Sequence, residues 1–370
     1  MNRVDMTDFA EKSNRLRTYM KNNGYEFAVM ARRDNFAWIT GGGDNKIFRS
    51  SDVGFGILII GINSIQFVAQ TMDSGRIFDE ELQGLDIETV ELKWYEPSRE
   101  ETAMRLTSGG KVVSDIPLSG ADFKMYDFVR LHFPLTDIDL QKYRKVGELC
   151  DSLLCNVAEQ IQPGMTEHEI EARILYEYGK ESMTPKVLLV GSDERIAKYR
   201  HPASSPKKVE KLVLIHAAAD KWGLHANITR MVYFGDSLPG ELKDKYNMLN
   251  LCEAQAIEMC RPGVQFQDIL IERKKIFAEH GCLDEFDLHF PGATAGYFIG
   301  TAKPIIDNEI VVNRMAFDWF ITVRGAKVEE LSVSSPAGGE LLSSSIEGKW
   351  PTNSYRWKDK SYDLPLIMMK

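Results

Sequence analysis

Residues 211–235 read KLVLIHAAADKWGLHANITRMVYFG. The apolar run LVLI, a turn, and the run ITRMVYFG have the pattern of a β-hairpin, two β-forming stretches joined by a Gly-containing break. Polar side chains interrupt both arms: His216 on the first, and His225 and Asn227 on the second, with His216 and Asn227 eleven positions apart. None is a carboxylate. Imidazoles and an amide on such arms can form hydrogen bonds, and the imidazoles can transfer protons.

The hairpin resembles that of the creatinase/aminopeptidase P/methionine aminopeptidase superfamily, the pita-bread enzymes, whose pattern runs D-x-G…(Y)-x-x-D-x-T-R. Laid on that pattern, the first Asp falls on His216 and the second on Asn227, within Asn227-Ile228-Thr229-Arg230. The superfamily's H-x-x-G-H-G-x-G segment is similar to His289-Phe290-Pro291-Gly292-Ala293-Thr294-Ala295-Gly296, which puts Ala293 at a ligand His and keeps the opening His as His289. The ligand Glu of G-M-x-F-x-x-E falls on Phe320, and that of K-x-E-D on Glu329. Glu329 is thus the one carboxylate left, and the resemblance implies no dinuclear metal and no other cofactor, leaving His216 with Glu329 as a weak site for a single ion at most. The stretches 185–202, 288–297 and 317–333 and the tail GKWP…LPLIMMK are similar to an Xaa-Pro peptidase-like bacterial branch that also lacks the metal carboxylates. This chain departs even from that branch at Phe290, Pro291 and Phe320.

The resemblance implies an α/β (α+β) protein with a smaller N-terminal mixed-sheet domain over 1–135 and a C-terminal pita-bread domain over 136–370. Length agrees, since 370 residues suggest two domains. A net charge of -9 and the lack of any long Lys/Arg run exclude a nucleic-acid-binding face. No apolar stretch reaches membrane-spanning or signal-peptide form, so a cytoplasmic location is expected. The five cysteines form no C-x-x-C pair and read as buried thiols.

Apolar spacing predicts a helix over 7–23, a strand over 27–31, a strand over 34–42, a hairpin over 54–70, helices near 72–83 and 98–108, a strand over 110–117, and a long helix over 136–160. Gln162-Pro163-Gly164 and Arg261-Pro262-Gly263 each end one helical pattern and begin another, with Thr166…Glu169 forming a capping box. This faint repeat fits the pseudo-symmetry of the resembled fold.

His201, in Arg200-His201-Pro202, falls where the superfamily places a substrate-contacting His. The resemblance to creatinase, a metal-free member, makes it the general base; an imidazole of ordinary pKa about 6.5 can accept and return a proton near neutrality. His289 and Glu329 are the other catalytic candidates. His216, His225, Asn227, Arg49 and Trp319 are candidate substrate contacts. The plainer alternatives are a surface pair of Glu329 with Lys327 or Arg324, an exposed His225, a strand-end Asn227 and core packing for Trp319. Lys303 is the nearest cation after the Gly-rich segment. Asp44, Asn45 and Arg49, beyond the ITGG turn, are candidates for contacts across a homodimer. Ser204-Ser205 and Ser343–Ser345 lack the G-x-S-x-G context of a serine hydrolase.

The expected activity is metal-independent, creatinase-like hydrolysis or lysis of a C–N bond in a small polar metabolite. A catalytically inactive binding or scaffold protein and an Xaa-Pro metallopeptidase are the alternatives.

Overall fold

The hairpin forms as read. Strands Leu212–Lys221 and Leu224–Tyr233 pair antiparallel with Lys221 opposite Leu224, leaving Trp222 and Gly223 as a two-residue turn with φ of 56° and 75°. Positive φ at both central residues matches the right-handed twist of the arms. The computed structural model describes residues 4–290, 292–300, 309–343 and 348–370; Pro291, Lys303, Ser344 and Ser345 lie outside these.

The hairpin lies within an eight-stranded sheet. Its main path runs Ala293–Thr294, Ala316–Val323, Ala326–Val333, Leu224–Tyr233, Leu212–Lys221, Thr184–Ser192. Helix Gly240–Met259 packs behind it, where Leu249, Cys252, Ile321 and Val328 share an apolar core. Sequence periodicity accounts for this: alternate strand residues face the helix and the others face the opposite side, where the polar residues collect.

The repeat appears in matching backbone hydrogen bonds. Gly164 N donates to Val209 O at 2.8 Å and Gly263 N to Val311 O at 2.9 Å; Glu167 N donates to Lys207 O and Phe266 N to Glu309 O, both at 3.0 Å. Gly164 and Gly263 have φ of 90° and 92°, which a Cβ would strain. Thr166 and Glu169 complete the expected capping box.

The chain divides into Met1–Asp139 and Leu140–Lys370, so the break falls in the first turn of helix Asp137–Gln160 rather than before it. The N-terminal unit carries a six-stranded mixed sheet. Strand Phe27–Arg32 pairs antiparallel with Val53–Gly61 and parallel with Val112–Ser114. Residues 34–42 correct the expectation of a strand: Arg33–Thr40 is a helix ended by Gly41 at φ 68°. Phe36, Ala37, Trp38 and Ile39 are all buried, and a short run apolar on every side is ambiguous between strand and helix.

Among the described residues no helix is long and apolar enough to cross a membrane.

Candidate functional site

Register builds the site. His216 lies opposite Thr229, Thr229 opposite Glu329, and Glu329 opposite Phe320, so one row across four strands turns these side chains to one face. His216 and Glu329 are only 3% and 2% exposed. Glu329 Oε2 accepts from His216 Nδ1 at 2.8 Å, from Lys327 Nζ at 2.8 Å and from Thr229 Oγ1 at 2.7 Å. Lys327 reaches it because residues two apart on a strand share a face.

The neighbouring row holds Asn227 and Asp318, both buried, with the Asn227 amide donating to the Asp318 carboxyl. Ala293 pairs with Asp318 in the strand register.

His201 and His289 arrive from loops. Arg200 pairs with Glu285, which also accepts from Arg324 N at 2.9 Å, and Pro202 packs on Gly191, where a Cβ would lie 2.5 Å from the proline ring. These contacts hold His201 from both sides. His289 stands edge-on to the Phe320 ring, centroids 5.5 Å apart. His289 Nδ1 is 2.9 Å from Phe290 O, and its Nε2 is 3.0 Å from His201 Nε2.

A carbonyl only accepts, so His289 carries its proton on Nδ1. Burial first, then the Lys327 charge, pushes the His289 pKa down to about 4, so the ring is neutral and Nε2 is an acceptor. His201 must therefore donate from Nε2, which leaves its Nδ1 with a lone pair. Burial and then Lys327 also lower the pKa of His201, and Glu329 opposes them. His216 is lowered by burial, with Glu329 opposing. For Glu329, burial favours the neutral acid, but the charges and hydrogen bonds of His216 and Lys327 together hold it well below the usual carboxylate range. Asp318 goes the other way: burial, then the Glu329 charge, raises its pKa well above normal. The site thus holds one firm anion, one ammonium and three neutral imidazoles.

The structure brings together His201, His289, Glu329, His216 and, on the adjacent row, Asn227. Asn227 is mid-strand and buried, not a strand-end residue, and Glu329 is buried against Lys327 rather than on a solvent-facing strand. His225 is 4% exposed, correcting the expectation of exposure. Its backbone N donates to Gly296 O at 2.9 Å, its O accepts from Tyr143 Oη at 2.6 Å, and its Nε2 lies 3.1 Å from Lys186 Nζ.

Trp319 is not brought to this face. It alternates with Asp318 and Phe320, is fully buried, and stacks on Phe317 with centroids 5.2 Å apart while Arg273 lies over its ring at 4.9 Å. Arg49 belongs to the N-terminal unit, in an exposed turn where its carbonyl accepts from Arg33 Nη1 at 3.3 Å. Asn45 is fully buried and donates to Gly56 O at 3.1 Å, and Asp44 is paired with Arg33 and Lys46, all within that unit.

Sequence reasoning missed the site roles of Lys327, Asp318, Thr229 and Lys186. Two-residue spacing from Glu329, Phe320 and Asn227 could have found the first three. Lys186 sits at a register shift between Pro185 and Val187, which no local pattern announces.

Residues 141–319 match the model of metallopeptidase family M24. Among curated proteins, the probable dipeptidase PepE of Mycobacterium tuberculosis (strain H37Rv) is 25% identical over 219 residues, covering 56% of this chain and 58% of that protein. An uncharacterized peptidase of Staphylococcus aureus (strain MW2) is 25% identical over 214 residues, covering 55% of this chain and 60% of that one. The chain therefore aligns with about three-fifths of the length of these relatives. In fold it is similar to the prolidase of Pyrococcus horikoshii, with TM-score 0.74 and 19% identity over 90% of this chain and 98% of that one. It is also similar to dipeptidase PepE of Mycobacterium ulcerans, with TM-score 0.76 and 18% identity over 100% and 99%. The fold is accordingly the mixed α/β pita-bread architecture of the prolidases.

Proposed function

We propose, from the premise that residues 141–319 form an M24 peptidase domain on a prolidase fold, that this chain hydrolyses a C–N bond of a small polar substrate without a dinuclear metal centre. The donors on the sheet do not fit two divalent cations. Of the positions that resemble ligands, Ala293 and Phe320 have no donor, Asn227 is an amide engaged by Asp318, and Glu329 already faces the Lys327 ammonium. Asp318, the other carboxyl on this face, is held toward its neutral form. Offered one ionised carboxylate, a pair of hard ions would gain little.

The observation that carries the reading is the His201–His289 pair. In the proposed reaction His201 Nδ1 removes a proton from water as the oxygen adds to the electrophilic carbon. The imidazolium so formed keeps its Nε2–H on His289 and is stabilised by the Glu329 charge. It then returns the proton to the departing nitrogen as the C–N bond breaks, restoring neutral His201. Asn227 and His225 would orient the substrate through hydrogen bonds.

Names of relatives and fold neighbours point to dipeptides, so the test substrates are Xaa-Pro dipeptides, other dipeptides and amidine-type metabolites such as creatine. The experiment is product release from this panel by chelator-dialysed protein. Release that tolerates chelator and is lost in His201→Ala supports the reading, and release that needs added manganese, cobalt or zinc overturns it. A homodimer in which Arg49 serves the partner's pocket belongs to the same proposal; full turnover by a monomer would end that part.

A further inference from the structure

We infer that Lys186 binds a carboxylate of the substrate, and that the substrate is accordingly a small molecule whose carboxylate lies several bonds away from the scissile C–N bond. The inference rests on the hydrolysis proposed above and deepens it by naming the group that selects the substrate class.

Register places Lys186 at the end of the site face. Along strand Thr184–Ser192, Leu189 lies opposite His216 and Val187 opposite Ala218, but Pro185 lies opposite Ala219, so Lys186 is the extra residue of a bulge. A bulge re-aims a side chain out of the strand's alternation. The Lys186 ammonium lies 3.1 Å from His225 Nε2. An ammonium only donates, so His225 accepts there and its imidazole is neutral. His225 shares its strand face with Asn227 and Thr229, two and four residues on. At roughly 3.4 Å per residue it stands about 13 Å from the row of Thr229 and Glu329. The row between them includes Ala218, opposite Asn227, and Ala293, opposite Asp318, which project only methyl groups. Strand Thr184–Ser192 is the edge of the sheet, and Val187 is 46% exposed, so solvent reaches the face at this edge.

The charges around Lys186 select the ligand. Lys327, the ammonium at the other end of the face, is buried and lies 2.8 Å from Glu329. The Lys186 side chain is 37% exposed, and Asp220 Oδ1, at 3.9 Å, is beyond hydrogen-bond distance of its ammonium. Asp220 thus keeps the ammonium at this end of the face, and a ligand oxygen can approach it more closely than Asp220 does. One ammonium with a carboxylate already nearby suits a singly charged carboxylate better than a doubly charged phosphate. The backbone of His225 is tied on both sides, its N donating to Gly296 O at 2.9 Å and its O accepting from Tyr143 Oη at 2.6 Å. A cation held by so fixed a partner lowers the ordering cost of binding. The spacing of about 13 Å between the rows favours a carboxylate set well away from the scissile bond, as in a short peptide, over the short arm of creatine.

The test is calorimetric binding of Ala-Pro and Ala-Pro-Ala, each as free acid and as C-terminal amide, to the chelator-dialysed full chain. Wild type and His201→Ala are titrated in parallel, so that binding is also read where no probe is consumed. At least one free acid should bind about tenfold more tightly than its amide. Lys186→Met, which keeps the stem and removes the charge, should erase that preference, and Lys186→Gln is read in its place if the Met variant does not fold. Equal binding of acid and amide, binding of neither, or a preference that survives loss of the lysine overturns the inference. Where an acid is hydrolysed, the variant should raise its KM about tenfold and leave kcat within about twofold. A loss in kcat at unchanged KM overturns the inference too. Turnover that needs added metal would remove the proposed function and leave the acid preference standing, whereas metal-free turnover with acid and amide bound alike removes this inference alone.

Discussion

The Nε2 atoms of His201 and His289 are 3.0 Å apart, and the bond of His289 Nδ1 to the Phe290 carbonyl makes His201 the donor of that pair. His201 Nδ1 is therefore a basic nitrogen with its lone pair available. Its base function needs the neutral ring, and the His201 pKa is lowered by burial and then by Lys327. Hydrolysis should hold steady at neutral pH and fall with an acid limb below the ordinary histidine value of about 6.5. A pH–rate profile checks this, and a limb above that value would contradict the assignment. His289→Ala, which removes the acceptor on Nε2, should lower the rate and change the position of the limb.

Stability should follow the same histidines. A histidine whose folded pKa is depressed binds its proton in the unfolded chain first, so stability is complete above the unfolded pKa and is lost as pH falls toward the folded one. For His289 that window runs from about 6.5 down to about 4. Thermal melts across this range should show a decline that is shallower in His289→Phe, and equal slopes in the two proteins would refute the pKa argument.

Behind the site, Arg230 ties the hairpin to its surroundings. Its guanidinium is fully buried and pairs with Asp151 at 2.6 Å and Glu330 at 2.5 Å, while also donating to Ser343 O at 2.7 Å. Burial raises Glu330 to about 7 even against Arg230. Arg230→Met would leave two buried acids without their cation, and a loss of about 3–5 kcal/mol is expected in chemical denaturation. A loss under about 1 kcal/mol, of the size seen for exposed pairs, would show the cluster to be dispensable.

Glu253, on helix Gly240–Met259, is fully buried and neither carboxyl oxygen has a hydrogen-bond partner. Burial and then the Glu330 charge raise its pKa well above normal. Because the folded state holds a proton that the unfolded chain gives up, stability falls as pH rises from the unfolded value. Glu253→Met should therefore raise the melting temperature at pH 7–8, with the gain shrinking below about pH 4.5. A gain equal at all pH values would contradict a protonated Glu253.

Much of this was legible in residues 211–235. The hairpin with His216 and Asn227 on its arms follows from its apolar runs and the Gly-containing break. The His201–His289 contact needed the resemblance, since nothing local says that residues 88 apart in the chain meet. Trp319 packs in the core, the plainer of the two alternatives the sequence left open, because strand alternation puts it on the side opposite Phe320. The Arg33–Thr40 helix escaped because burial on all sides erases the period that distinguishes helix from strand.

The most direct test of the central claim is turnover of the C–N substrate panel by chelator-dialysed wild type and His201→Ala, with metal content measured on the same samples. Metal-free wild type should hydrolyse a member of the panel, and His201→Ala should lose about 10²–10⁴-fold in kcat with its melting temperature unchanged. Hydrolysis that appears only with bound metal, or that survives in His201→Ala at the wild-type rate, would contradict it.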